Sequence, residues 1–249
     1  MDTRPTILNV PFDAVTLPQA LAQAEQALIS GRFCHVVTPG PEFVMLARRH
    51  QPFAAVLRRS ALSLPDGMGV ILAARVLGLP ALHRVAGTDF MQTLLVRAAE
   101  AGWRVYFFGC LRPGAIEHAA HQAVRAYPGL RLVGAESGWR GRWRLPDRVV
   151  TWRIRRAQPD LLFVGLGAPE QELWIDRHRS QLGRVAVAVG VGGAFDYLAG
   201  VVRRAPKPLR VLGFEWLWRL LRQPQRWQRI ITAVVRFPVA VLQERWRHA

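Results

Sequence analysis

Two short loops place a polar side chain directly after an apolar run. Thr38 ends the run FCHVVT, and Asp66 lies in LSLPDGMGV between a proline and a glycine. A carboxylate held on such a loop can take a proton from a hydroxyl group, which is the chemistry of a general base. An aspartate in a Pro-Asp-Gly turn also commonly bonds to nearby backbone N–H groups. The residues alone therefore leave a catalytic role and a turn-forming role open for Asp66.

Three glycine-rich turns, FFGCLRPGA, FVGLGAPEQE and AVGVGGAFD, each follow a β-rich run. Such a turn can present backbone N–H groups and a helix N-terminus to a phosphate. Ala115 stands where a P-loop has its lysine, and Glu170 stands where a dinucleotide motif has its third glycine. A P-loop ATPase and an NAD enzyme are therefore disfavoured. Gln171 and Glu172 follow Pro169, where they could bond a nucleotide or cap a helix.

Patterns that bind metal are scarce in this sequence. The eight aspartates never occur as Asp-x-Asp, the pair with which many sugar-nucleotide enzymes hold a divalent cation. His118 and His121 lie three residues apart on a predicted helix, but no third ligand accompanies them at helical spacing. Cys34 and Cys110 form neither a zinc motif nor a disulfide framework, which fits a reducing compartment. The sequence predicts no metal site and no cofactor.

The chemistry-bearing loops need a scaffold, and the apolar pattern predicts one within residues 1–200. β-rich runs alternate with longer runs of helical period, which indicates an α/β fold with a Rossmann-like, mostly parallel sheet flanked by helices. The predicted strands are 33–38, 104–109, 130–134, 160–167 and 184–190. The predicted helices are 16–30, 41–58, 87–101, 113–126, 146–157 and 169–180.

The composition changes in residues 201–249. This segment carries eleven Lys and Arg against two Glu, a net charge of +9, and four of the nine tryptophans. Between Pro224 and Pro238 the spacing predicts a basic amphipathic helix whose apolar face is Trp227, Ile230, Ile231, Val234 and Val235. A helix of this kind suits a membrane interface, but the same pattern suits a helix docked on its own core. The sequence therefore predicts a basic helical appendage at the C-terminus.

The whole chain of 249 residues is 51% apolar and has a net charge of +17. A sizeable core and an anionic partner are expected, either nucleic acid, phospholipid or a phosphorylated substrate. No uncharged run exceeds 11 residues, well below the ~20 that a membrane-spanning helix needs. The first residues also lack an apolar signal core. A cytoplasmic protein that does not span a bilayer is expected.

Six blocks of sequence, in this order and at this spacing, resemble the WecG/TagA/CpsF family of bacterial glycosyltransferases. They are VVTPGPEFVMLARR, PDGMGVILAARVLG, RVAGTDFM, VGLGAPEQELWI, VGVGGAFDYLAG and RRAPKPLRVLGFEWLWRLLRQP. The resemblance implies an inverting, metal-independent transferase at the cytoplasmic face of the cell membrane. It implies transfer of a hexose or N-acetylhexosamine, such as N-acetylmannosamine, its uronic acid or glucose, from a UDP-sugar. The implied acceptor is a polyprenyl-diphosphate-linked saccharide of surface polysaccharide biosynthesis.

The resemblance also implies roles for individual residues. Asp66 becomes the expected general base, with Thr38 in the same cleft. Asp196 would bond the uridine or ribose, with Gln171 nearby. Arginines of the C-terminal segment would stabilise the charge on the leaving UDP. The expected substrate-binding residues are Gly40, Arg84, Thr88, Asp89, Trp139, Gln171, Asp196, Arg219, Arg226 and Arg229.

Two of these positions depart from the family pattern. Gly40 replaces the asparagine usual in the Thr-x-Asn loop, and Trp139 stands where a tyrosine is common. The missing polar contact at Gly40 keeps an inactive membrane-surface scaffold of the same fold as an alternative. A sequence-indifferent nucleic-acid-binding protein would explain only the charge, so nucleic acid is not the expected partner. An anionic membrane surface is expected, and a homo-oligomer is left open.

Overall fold

A computed structural model describes residues 4–109, 114–140, 143–202, 204–206, 209, 215–222 and 224–248. Its strands are β1 (Thr6–Ile7), β2 (Val10–Pro11), β3 (Cys34–Val37), β4 (Leu62–Ser63), β5 (Arg104–Phe108), β6 (Arg131–Glu136), β7 (Trp139–Arg140), β8 (Trp143–Arg144), β9 (Leu161–Val164) and β10 (Val187–Gly190). Six of them form one sheet in the order β4-β3-β10-β9-β5-β6, and every neighbouring pair runs parallel. The pairs β1–β2 and β7–β8 are short antiparallel ladders.

Helices cover both faces of the sheet. They are α1 (Leu17–Ser30), α2 (Pro41–Ala47), α3 (Gln51–Arg59), α4 (Met68–Val76), α5 (Gly87–Ala101), α6 (Ala115–Ala126), α7 (Asp147–Ala157), α8 (Glu170–His178), α9 (Ala194–Leu198), α10 (Glu215–Arg222), α11 (Trp227–Ile231) and α12 (Phe237–His248). Short 3₁₀ turns occupy Arg179–Gln181 and Pro224–Arg226, and a π turn occupies Thr232–Arg236. The predicted α/β, Rossmann-like fold is confirmed.

The central strands are apolar on both sides because each side faces a helical layer. Side chains alternate along a strand, so Phe107 packs toward α1, α5, α6 and α9, whereas Phe108 packs toward α7 and α8. Phe163 and Val164 divide between the same two layers. This double burial explains why the strands of the sequence appear as continuous apolar runs.

One predicted helix, over residues 41–58, is wrong as a single element. The chain instead forms α2 and α3, with a break at residues 48–50. The Nδ1 atom of His50 accepts a hydrogen bond from the Phe53 backbone N–H at 3.1 Å, which caps α3. Pro52 lies in the first turn of α3, where its missing N–H costs nothing. β4, α4 and α9 were not predicted, because they are short and α4 is apolar on most sides.

The C-terminal helix, residues 227–248, comprises α11, the π turn and α12. Its predicted end at Pro238 is wrong, because the helix continues to His248. The Phe237 N–H bonds to the Thr232 carbonyl five residues back, and this wider turn relieves the clash that the ring of Pro238 would otherwise make.

One face of this helix docks on the core. Phe237, Ala240 and Val241 are buried in a cluster with residues of α2, α3 and α4. Glu244 accepts a hydrogen bond from the Leu8 backbone N–H at 3.1 Å. Of the predicted apolar face only Ile230 is buried. A core-docked helix is therefore present, but Phe237, Ala240 and Val241, which pack into the core cluster, were not among the predicted residues.

The opposite face of the C-terminal helix leaves an exposed apolar stripe. The apolar stripe consists of Trp227, Ile231, Val234, Val235, Val239, Leu242 and Trp246. Within the described ranges, no helix is both long enough and apolar enough to cross a bilayer. The division into a core of residues 1–200 and an appendage of residues 201–249 stays a prediction.

Candidate active site

A cleft of about 1060 Å³ opens at the carboxyl ends of β3, β4, β9 and β10. The loops after parallel strands meet at this edge of a sheet, which is where ligands of open α/β folds bind. Thr38 follows β3, Asp66 follows β4, Gly165 and Gly167 follow β9, and Gly192 follows β10, and all five line the cleft. Residues of α2 and of the C-terminal helix form the outer wall. The two predicted catalytic residues and two of the predicted glycine turns therefore meet in one place.

Asp66 is half-buried, and hydrogen bonds hold both its backbone and its carboxylate. Its backbone N–H donates to the Pro39 carbonyl at 3.2 Å, and its Oδ2 atom accepts from the Gly87 N–H at 3.3 Å. Gly87 is the first residue of α5, so the carboxylate also benefits from the positive end of that helix. Gly67, at φ +91°, supplies the left-handed turn that leads into α4. The carboxylate is thereby fixed at the cleft, where it can accept a proton from a bound hydroxyl group.

Glycines pack closely around Thr38 and Asp66. A Cβ atom at Gly87 would lie 2.8 Å from the Oγ1 atom of Thr38, so this position requires glycine. A Cβ atom at Gly40 would lie 3.0 Å from the Asp66 carbonyl oxygen. An asparagine at position 40 would therefore press on the backbone that carries Asp66. Glycine at position 40, where the family usually has asparagine, therefore allows the loops that carry Thr38 and Asp66 to pack closely.

Gln171 connects two of the glycine turns. Its Oε1 atom accepts from the Gly167 N–H at 3.0 Å and from the Gly192 N–H at 2.9 Å. Its Nε2 atom donates to the Oε1 atom of Glu172 at 2.7 Å. Gln171 is 2% exposed and Glu172 is 0% exposed, so neither acts as a solvent-facing helix cap. The family resemblance places Gln171 near the nucleotide, which stays a prediction, and the structure shows that Gln171 bridges the loops after β9 and β10.

Glu172 is an acid buried beneath these turns. A Cβ atom at Gly190 would lie 2.5 Å from its Oε1 atom, so glycine at that position makes room for the carboxyl group. Burial raises the pKa of Glu172 from 4.5 to about 8, and the hydrogen bond from Gln171 only partly opposes this shift. Because the pKa is higher in the folded chain, ionisation of Glu172 opposes folding as the pH rises from about 4.5 to about 8.

Between pH 6.5 and pH 8, we expect the free energy of unfolding to fall less in Glu172→Gln than in the wild-type chain. The wild-type chain should lose about 2 kcal/mol over this interval, since one pKa unit corresponds to about 1.4 kcal/mol. The melting temperature of the wild-type chain should fall by several degrees, whereas that of Glu172→Gln should change much less. Thermal unfolding followed by circular dichroism measures both slopes.

Above pH 6.5 the effect of Glu172 on stability can be separated from that of His35, which is also buried. Burial lowers the pKa of His35 to about 4, so His35 reduces stability only as the pH falls below its unfolded value of 6.5. Glu170→Gln is the matched control, because Glu170 is exposed on the same helix. If the melting temperatures of the wild type and Glu172→Gln fell equally with pH, Glu172 would already be ionised in the folded chain over this whole interval.

The remaining predicted site residues differ in where they lie relative to the cleft. Thr88, Asp196 and Arg229 line the cleft together with Gln171. Asp89 instead forms an ion pair with Arg204, and Arg204 lines the cleft. Arg84 precedes α5, half-buried, and is not part of the lining. The side chains of Trp139, Arg219 and Arg226 lie outside the described part of the chain.

Sequence reasoning missed several residues of the cleft wall. Arg49, Arg204 and Arg236 line the cleft, as do Phe43 and Leu46. Arg49 follows α2 and Arg236 ends the π turn, so their proximity to one cleft depends on the docking of α2 against the C-terminal helix. No local spacing in the sequence could have indicated that contact.

Metal-ligating side chains do not cluster in the part of the chain that the structure describes. No group of three His, Cys, Asp or Glu residues there is arranged to hold a metal ion. His118 and His121 are both exposed on α6. Cys34 is buried in β3, and burial raises the pKa of its thiol to about 11. Cys110 falls outside the described residues.

Comparison with known proteins identifies the family of this chain. Residues 5–249 match the model of the glycosyl transferase WecG/TagA/CpsF family. A Bacillus spizizenii protein named N-acetylglucosaminyldiphosphoundecaprenol N-acetyl-beta-D-mannosaminyltransferase is 36% identical over 84% of this chain and 78% of its own length. The protein of the same name from Bacillus subtilis is 32% identical over 96% of this chain and 91% of its own length. The counterpart from Staphylococcus aureus strain MW2 is 33% identical over 90% and 85% of the two chains. The chain therefore belongs to the WecG/TagA/CpsF family of glycosyltransferases.

Proposed function

We propose that this chain transfers a hexose or N-acetylhexosamine from a UDP-sugar to a polyprenyl-diphosphate-linked saccharide in surface polysaccharide synthesis. N-acetylmannosamine is the first candidate sugar, because the relatives are named as N-acetyl-beta-D-mannosaminyltransferases. The observation that carries the proposal is the Asp66 carboxylate, fixed in a large cleft of a chain that belongs to this family. UDP release from purified protein, measured across a panel of UDP-sugars with a synthetic lipid-linked acceptor, tests it.

Asp66 serves as general base in the proposed reaction. An acceptor hydroxyl attacks the anomeric carbon of the donor from the side opposite UDP, and the carboxylate takes its proton as the new C–O bond forms. The bond from the anomeric carbon to the diphosphate breaks, and UDP leaves with the electron pair. UDP-sugars of this class are α-linked, so attack from the opposite side gives a β-linked product. The names of the relatives specify a β-linked sugar, which supports inversion.

The leaving diphosphate gains negative charge in this step and requires cationic or N–H partners. Arg229 is exposed on α11 and lines the cleft, so its guanidinium can reach a bound diphosphate. Arg219 and Arg226 are assigned to the same task from the family resemblance. We propose that these groups together stabilise the UDP that departs.

We expect sugar transfer to persist after chelation of divalent cations. The expectation derives from the absence of an Asp-x-Asp pair in the sequence and from the arginines that would neutralise the diphosphate. Turnover measured with and without EDTA should differ by less than about twofold. Loss of turnover in EDTA, with recovery on addition of magnesium or manganese, would require a metal-assisted mechanism.

We further propose that the protein binds the cytoplasmic membrane surface through the apolar stripe. Several of these residues are large and aliphatic or aromatic, and Trp246 is 75% exposed. Arg247 lies on the same helix, next to Trp246, and can contact anionic headgroups, contributing about 1 kcal/mol near such a surface. An apolar face flanked by arginines is the pattern of helices that lie in the interface.

We expect the double variant Leu242→Ser with Trp246→Ser to bind anionic vesicles at least about tenfold more weakly, because two apolar contacts are lost. Vesicle flotation measures the binding. Point variants are preferable to deletion of the segment, because Phe237, Ala240 and Val241 fill the core. Trp152→Ser is the matched control, since Trp152 is 56% exposed on α7, outside the apolar stripe. Equal flotation of the double variant and the wild type would contradict the membrane proposal.

A further inference from the structure

The lining of the cleft combines two arginines with an apolar wall. Arg49 follows α2 and Arg236 ends the π turn, and both line the cleft. Phe43 and Leu46 of α2 and Ile231 of α11 line the same cleft and form the apolar wall. α2 packs directly against the π turn and against α12, which brings these groups together.

Among the described residues, no carboxylate neutralises the charge of Arg49 or Arg236. Both arginines are exposed, and no ion pair joins either guanidinium to a carboxylate within the described ranges. Arg204, a third arginine of the cleft, is by contrast paired with Asp89. Glu42 also lines the cleft, but it lies in the first turn of α2, at the end of the helix away from Arg49. The lining of the cleft therefore includes a cationic position besides the arginine that is paired with Asp89.

The proposed reaction brings two diphosphates into one cleft, since the donor carries one and the lipid-linked acceptor carries another. The assignment of Arg229, with Arg219 and Arg226, to UDP leaves the acceptor diphosphate without cationic partners. Guanidinium groups bind phosphate oxygens through paired hydrogen bonds, and they do so most strongly where water is partly excluded. A second set of arginines is needed to keep two anionic groups close to each other.

We propose that Arg49 and Arg236 bind the diphosphate of the lipid-linked acceptor, and that Phe43, Leu46 and Ile231 contact the first units of its polyprenyl chain. This inference rests on the proposed function and extends it to the acceptor. A lipid-linked acceptor carries its sugar, its diphosphate and its lipid in that order. In the proposed arrangement the sugar binds at Asp66, the diphosphate binds the two arginines, and the lipid binds against the apolar wall.

The position of Ile231 supports a path for the lipid from the cleft to the membrane. Ile231 belongs both to the cleft wall and to the apolar stripe, so the wall is continuous with the surface proposed to contact the membrane. Trp227 shares this double position. A polyprenyl chain that leaves the cleft along Ile231 would enter the bilayer without crossing an exposed polar surface.

Binding of farnesyl diphosphate, a short polyprenyl diphosphate without a sugar, tests the proposal directly. Titration calorimetry should show that Arg49→Gln and Arg236→Gln each weaken this binding about tenfold or more, since each removes a charged hydrogen-bond donor. UDP affinity should change by less than about twofold in both variants, and saturating UDP should not displace farnesyl diphosphate. Inorganic pyrophosphate should bind the wild type more weakly than farnesyl diphosphate, because it cannot use the apolar wall.

Arg245→Gln is the matched control, because Arg245 is exposed on the same helix and is not among the residues that line the cleft. Unchanged farnesyl diphosphate binding in Arg49→Gln and Arg236→Gln would overturn the proposal. If UDP displaced farnesyl diphosphate, and if the two variants weakened UDP binding as much as farnesyl diphosphate binding, the arginines would bind the donor and the proposal would be overturned. Equal affinities for pyrophosphate and farnesyl diphosphate would overturn the assignment of the apolar wall. Because these readouts need no turnover, failure of the wild type to transfer any sugar would refute the proposed function separately.

Discussion

Replacing Asp66 with asparagine should lower kcat for sugar transfer about 10²–10⁴-fold. Asparagine is nearly isosteric and can still accept the hydrogen bond from the Gly87 N–H, but it cannot take a proton from the acceptor hydroxyl. UDP affinity should remain within about twofold of the wild type, because the carboxylate is placed at the acceptor hydroxyl. Initial rates of UDP release and calorimetric titration with UDP measure the two quantities.

Asp160→Asn is the matched control for Asp66. Asp160 also accepts a backbone hydrogen bond, from the Arg104 N–H at 2.8 Å, but it precedes β9 at the opposite edge of the sheet. Its variant should lose stability and keep its kcat. If Asp66→Asn behaved like this control, with a lower melting temperature and a normal kcat, Asp66 would be a turn-forming residue only.

Replacing Arg229 with alanine should lower kcat about 10²–10³-fold, the usual cost of removing one group that stabilises charge in a transition state. Arg229→Lys should recover part of the loss, because it keeps the charge but not the paired hydrogen bonds. The affinity for UDP should fall in the alanine variant as well, since the same diphosphate is present in the product. Single-turnover rates separate the chemical step from product release.

Arg245→Ala provides the comparison for Arg229→Ala. Arg245 is exposed on the same helix but does not belong to the cleft lining, so its removal changes the net charge without changing the site. Similar small losses in both variants would mean that the helix contributes only general positive charge, and the assignment of Arg229 to the leaving group would be withdrawn.

The sheet and most of its helices could be predicted because their signals are local. Strands such as Leu161–Val164 and Val187–Gly190 are short apolar runs that end in glycine turns. Helix Gly87–Ala101 has a helical apolar period and ends at Gly102, which adopts the left-handed conformation. The order of these elements places Thr38 at the carboxyl edge of a parallel sheet, whereas Asp66 follows β4, which was not among the predicted strands.

What could not be predicted depends on contacts between distant elements. The side chain of Gln171 bonds to Gly192, which follows a different strand, and this bond has no signature in the sequence of either turn. The C-terminal helix buries Phe237, Ala240 and Val241 because of where it docks, whereas its periodicity selected a different face. The π turn before Pro238 shifts the register of that helix, so a single helical period could not describe it.

The proposed sugar transfer can be tested in a single assay with the purified full chain. UDP-N-acetylmannosamine is incubated with a synthetic polyprenyl diphosphate that carries N-acetylglucosamine, and the lipid product is analysed by mass spectrometry and NMR. We expect one added N-acetylhexosamine per acceptor, a β-linkage and an equal amount of UDP released. A different sugar from the UDP-sugar panel, transferred in the same way, would correct only the identity of the donor. Absence of UDP release with every UDP-sugar of the panel, from protein that is folded and binds UDP, would refute the proposed transfer and favour an inactive scaffold.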